Sequence, residues 1–162
     1  MTTIRSMLTT TAALLALAGA AFAQDDHAED EHVVVFGDLV IEHVWARAAP
    51  AGADTLVFLE IENEGAPDVL AGATTDAARD VTIVGLVIAG DVITTVPVGP
   101  VEVPTGVFEM DPGGLALSLA GLTAALVVGQ EFALTLTFEN AGTVEIHVLV
   151  EPAGAMAHSH AH

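Results

Sequence analysis

A chain of 162 residues that sets 22 Asp and Glu against three Arg and no Lys, for a formal net charge of −19 at pH 7, repels nucleic acid and anionic lipid surfaces alike. It contains no Cys, which excludes thiolate catalysis, thiol redox chemistry and thiolate metal sites and leaves stability to packing alone. Its length beyond the leader suits one domain with a single core.

The chain opens as an export signal. Arg5 supplies the positive start, Leu8 to Ala21 the apolar run, and Ala21-Phe22-Ala23 the small-residue cleavage site. Residues 1–23 are thus expected to be removed, and the acidic Gln24-Asp25-Asp26 that follows argues against insertion in the membrane. A bacterial periplasm is the expected location. Residues 24–32 then read as an acidic, His-containing tail.

From residue 33 to residue 150 the pattern is short β-branched runs punctuated by turn residues, which predicts an all-β domain. Strands are expected at Leu39 to Ala46, Thr55 to Asn63, Asp68 to Thr75, Val81 to Ile88, Val92 to Val98 and Leu115 to Leu119. Strict alternation then marks Phe132 to Phe138 and Thr143 to Val150, joined at Glu139-Asn140-Ala141-Gly142 as a hairpin. On simple alternation His43 shares a face with Leu39, Ile41 and Trp45, which predicts a packed histidine at the core's edge and a core Trp45. Arg47 is expected to pair with a nearby carboxylate, Met110 to be a loop or core thioether, and His147 to lie on the polar face beside Glu145. Residues 151–162 have no periodicity and read as a flexible, His-rich C-terminal tail.

Three segments carry a family likeness: Trp45-Ala46-Arg47-Ala48-Ala49-Pro50-Ala51-Gly52, the strand ending in Asn63-Glu64-Gly65, and Asp111-Pro112-Gly113-Gly114. Together they resemble periplasmic copper chaperones of the PCuAC type. The resemblance implies a Greek-key, cupredoxin-like β-sandwich over about residues 33–150 and a role near cytochrome oxidase copper-centre assembly. It also implies a Cu(I) site of two His and two Met, soft donors suited to that ion. Laid along this chain, those positions fall on Val84, Thr95, Ala116 and Ser118. None offers an imidazole or thioether, and no His lies between His43 and His147. The resemblance therefore implies a divergent member without the core ligands.

What remains for a metal is Met156-Ala157-His158-Ser159-His160-Ala161-His162. Alternating imidazoles on one short segment can converge on a single ion, so Met156, His158, His160 and His162 are the candidate ligands. With one thioether the set favours Cu(II) over Cu(I), with Zn(II) as the alternative. His27 and His32, among acidic neighbours, form a weaker candidate set. No nucleophile elbow or phosphate-cradling loop is present, so no enzymatic activity is expected. Two functions follow: an exported copper chaperone or buffer that passes the ion to a copper-accepting periplasmic or membrane protein such as a cytochrome oxidase subunit, or a metal-free protein-interaction module on the same scaffold.

Overall fold

The computed structural model describes residues 32–157, so the expected export signal, most of the expected N-terminal tail with His27, and His158, His160 and His162 lie outside the described residues. Eleven strands and no helix fill that span: β1 Val34–Phe36, β2 Leu39–Arg47, β3 Thr55–Asn63, β4 Asp68–Thr74, β5 Ala78–Ala89, β6 Val92–Pro97, β7 Val101–Val103, β8 Gly106–Met110, β9 Leu115–Leu122, β10 Glu131–Phe138 and β11 Gly142–Glu151. The expected all-β sandwich is thus the observed architecture. No helix among the described residues is long and apolar enough to cross a membrane.

Hydrogen bonding runs in the order β6-β5-β9-β3-β2-β11-β10-β4-β7, with β1 added to β2 and β8 to β3. The pairs are antiparallel except β11 with β2, where Leu149, Val150 and Glu151 run parallel to Trp45, Ala46 and Arg47. That crossover brings the last strand to the middle of the path. Inward residues from across the path meet in one core containing Ile41, Ile61, Leu117, Leu134, Leu136 and Ile146, each fully buried. The β10–β11 hairpin pairs Phe138 with Gly142 across the turn, as its alternation predicts.

Side-chain hydrogen bonds explain the small motifs. Asn63 donates to the carbonyls of Ala66 and Val103 and accepts from Gly65 N. Gly65 is required there, since a Cβ would lie 2.5 Å from Asp38 Oδ2. Asp111 accepts from the amide of Gly113 at 2.7 Å, closing the turn that separates β8 from β9. Asp68, 5% exposed, accepts from Val69 N, Asn140 N, Asn140 Nδ2 and Ala141 N, which ties the start of β4 to the β10–β11 turn. Burial alone would raise its pKa, but these donors outweigh it and the net shift is downward.

One irregularity reorganises the sheet. Glu42 pairs with Glu60 and Trp45 with Phe58, so His43 and Val44 together oppose Leu59. This is a β-bulge, and His43 takes the left-handed conformation at φ 51°, as the first residue does in the G1 type. One extra residue inverts the alternation beyond it. Ile41 points to the core before the bulge, whereas Val44 and Ala46 do so after it.

Candidate metal centre

The bulge turns Trp45 and Arg47 onto the outer face of the sheet. There Trp45 joins Phe58, Val84 and Ala116 in a second buried cluster, separate from the main core, with Leu56, Leu86 and Ala155 packed against it. The Trp45 and Phe58 rings lie 4.6 Å apart, centroid to centroid, at 37°. The expectation that Trp45 anchors the main core is therefore corrected: it is buried, but on the opposite face.

Arg47 likewise departs from expectation. It sits over the Phe58 ring at 5.3 Å and donates through Nε to the carbonyl of Ala155 at 3.0 Å, with Nη2 3.4 Å from Met156 Sδ. No carboxylate among the described residues forms an ion pair with it. Burial lowers its pKa, yet a guanidinium stays charged at any working pH. The clamp fixes the chain end: Glu151 closes β11 at 3% exposure, and Ala155 N donates to Pro152 O. Ala155 and Met156 thus contact the sandwich, a contact that sequence alone did not suggest.

Beside this clamp is a cavity of about 260 Å³ whose walls include His43, Trp45, Glu60, Met110, Pro112 and Met156. His43 is not the packed core-edge residue that alternation predicts. Its side chain is 46% exposed, with Nδ1 3.4 Å from Glu60 Oε2. Glu42, His43 and Glu60 each offer a ligand atom within 4.8 Å of the others. Glu60 also stands opposite Glu109 on β8, so Glu42, Glu60 and Glu109 form a row across three adjacent strands. Like charges directly opposed in a sheet cost a few tenths of a kcal/mol to about 1 kcal/mol per pair. Such a row lowers the free energy of any cation that settles on it.

The candidate residues are distributed unevenly. Met156 reaches the cavity, and the polypeptide leads from there directly to His158. His32 stands apart from it, 3.8 Å from Glu131 at the start of β10. His147 is exposed on β11, opposite Ala133. Met110 is a buried thioether, 2% exposed, as expected, but it also walls the cavity. The four positions taken from the resemblance do share one face: Val84 stands opposite Ala116, Thr95 opposite Leu86, and Ser118 opposite Thr82. Apolar Val84 and Ala116 there complete the Trp45 cluster. The grouping of Glu42, His43 and Glu60 escaped sequence reasoning because 18 residues separate Glu42 from Glu60 and no local signal marks the bulge.

Fold and motifs together define a PCuAC-type β-sandwich. The copper-bound PCuAC domain from PmoF2 is similar at 29% identity and a TM-score of 0.63, over 75% of this chain and 98% of that one. The apo PCuAC domain from PmoF1 matches at 28% identity and 0.63, over 75% and 99%. The Cu(I) form of DR1885 from Deinococcus radiodurans shares the fold at 24% identity and a TM-score of 0.50, over 67% of this chain and 76% of that one. Residues 39–150 match the family model described as "Putative lipoprotein LpqE-like", and the chain belongs to that family. A relative from Leifsonia xyli subsp. xyli (strain CTCB07), "Putative lipoprotein Lxx21020", is 29% identical over 114 residues, 68% of each chain.

Proposed function

We propose that this protein is an exported copper-handling protein, a chaperone or buffer, in which His158, His160 and His162, with Met156, capture the ion. Copper as cargo is supported by the likeness to a PCuAC domain solved with copper bound. Export is supported by the leader and by relatives described as lipoproteins.

The observation that carries the tail reading is the Arg47 clamp, which holds Ala155 and Met156 on the body immediately before the imidazoles. The ligand positions suggested by the resemblance hold Val84, Thr95, Ala116 and Ser118, so capture passes to the tail. Imidazole-rich donors with a single thioether suit Cu(II), with Zn(II) as competitor. Release would proceed by ligand exchange to a copper-accepting exported or membrane protein, a cytochrome oxidase subunit being the recipient that the PCuAC likeness suggests. The protein carries the ion and does no enzymatic chemistry on it. Calorimetric titration of the full chain with Cu(II) tests this: replacing His158, His160 and His162 together by Ala should remove the tightest equivalent.

A second reading, a metal-free interaction module, is favoured by a separate feature. The β5–β6 hairpin exposes Val87, Ile88, Val92, Ile93 and Val96 by 40–61% at the sheet's edge. Absence of any tight Cu(II) equivalent in the wild-type chain, together with loss of partner capture when Ile88 and Val92 become Glu, would favour it.

A further inference from the structure

We propose that the β2 bulge carries a second metal site on the sandwich body, in which His43, Glu42 and Glu60 hold a borderline divalent cation, Cu(II) by preference and Zn(II) otherwise. The donor set is one imidazole and two carboxylates, which suits these ions and places Cu(II) above Zn(II) in affinity. Its donor set includes none of the C-terminal imidazoles.

Geometry carries it. A tetrahedral Zn(II) with bonds of about 2.0–2.1 Å holds its ligand atoms about 3.3–3.5 Å apart, and a tetragonal Cu(II) draws neighbouring ligand atoms somewhat closer. His43 Nδ1 and Glu60 Oε2 already stand at 3.4 Å. That separation is long for a charge-assisted hydrogen bond, which is about 2.7–2.9 Å. Glu42 completes a set whose ligand atoms all lie within 4.8 Å of one another. The adjoining cavity gives the ion a way in and space for a water or a fourth ligand.

Charge points the same way. Glu109 extends the carboxylate row by one strand. The described residues contain two basic side chains, Arg47 and Arg79. Arg47 is committed to Ala155 and Met156, and Arg79 lies on β5 with its side chain against Gly121 of β9, two strands from β3 in the hydrogen-bonding order. Among the described residues, the basic side chain that stands beside Glu42 and Glu60 is His43, and a bound cation would add counter-charge to this row. The left-handed backbone at residue 43 also makes a clean variant available, because Gly adopts φ 51° more readily than His and preserves the bulge.

The test uses the full chain, with Cu(II) or Zn(II) salts alone as probes. Trp45 is the sole Trp, there is no Tyr, and Trp45 walls the cavity, so Cu(II) bound here quenches its emission whereas Zn(II) does not. In the His158, His160 and His162 triple Ala variant, one equivalent of Cu(II) should remain and should quench Trp45. Adding His43→Gly and Glu60→Gln should weaken that equivalent at least about tenfold and abolish the quenching. Either of two results overturns the site: a triple variant that binds no Cu(II), or a His43→Gly/Glu60→Gln chain of unchanged melting temperature that binds and quenches as before. Wild-type binding by the triple variant would instead end the tail reading and leave this one standing.

Discussion

Arg47→Ala offers a quantitative test of the clamp that joins the chain end to the outer face. The substitution removes a charge-assisted hydrogen bond to Ala155 O at 3.0 Å and a guanidinium 5.3 Å from the Phe58 centroid. A hydrogen bond to a charged group contributes about 1.5–3 kcal/mol, and a cation over an aromatic ring about 0.5–1 kcal/mol at an exposed site. The clamp is only partly buried, so the lower values apply, giving about 2 kcal/mol for docking the segment. Because residues 152–157 can fray without unfolding the sandwich, only part of this reaches global stability. The expected global loss is about 1 kcal/mol, a fall in Tm of about 3–4 °C for a domain of this size. The local effect should be larger. Trp45, 4% exposed, loses part of its cover where Ala155 packs on its cluster. Its emission should shift to the red, and amides of residues 153–157 should exchange faster. Arg47→Lys should recover little, since a point charge does not reproduce the planar fork. If Arg47→Ala leaves the Trp45 emission, the exchange of this segment and Tm all unchanged, the clamp does not hold the chain end and the reasoning fails.

Asp68→Ala should cost about 2–4 kcal/mol in urea unfolding, because it strips the acceptor from the amides of Asn140 and Ala141 and leaves them without their partner. Because Asp68 has a folded pKa below its ordinary value, its contribution is fully present above about pH 4 and is lost as pH falls through the lowered folded value. Asp68→Asn should therefore flatten the acid limb of a stability–pH profile, and an unaltered limb would count against this network. Affinity of the full chain for Zn(II) should fall steeply from about pH 7.5 to about pH 5.5 as the tail imidazoles take up protons, whereas binding through surface carboxylates would change little over that range and weaken with salt. Intact mass of exported material should place the first residue at Gln24, and retention of residues 1–23 in a membrane fraction would contradict cleavage after Ala23.

The all-β class, the β10–β11 hairpin and most strand positions are legible in residue order, because side-chain alternation and turn residues act over a few neighbours. Leu134, Leu136 and Phe138 face inward as their period predicts, and so do Ile146 and Val148. The short strands β1, β7 and β8 carry too few residues for a period; β8 matters most, since it sets Glu109 opposite Glu60 and Met110 opposite Leu59. The bulge at His43 was beyond local reading for a different reason. Nothing in Glu42-His43-Val44 encodes it; it arises where β2 accommodates β3, pairing Glu42 with Glu60 on one side and Trp45 with Phe58 on the other. That one tertiary adjustment inverts the alternation, moves Trp45 and Arg47 to the outer face, and exposes His43 beside Glu60. The His-rich C-terminus as a metal-binding candidate was written in composition, because a cluster of imidazoles in one segment needs no fold to be noticed. Its attachment to the body through Arg47 was not, because a contact across 108 positions of sequence exists only once the parallel pairing of β11 with β2 has brought both ends to the same place.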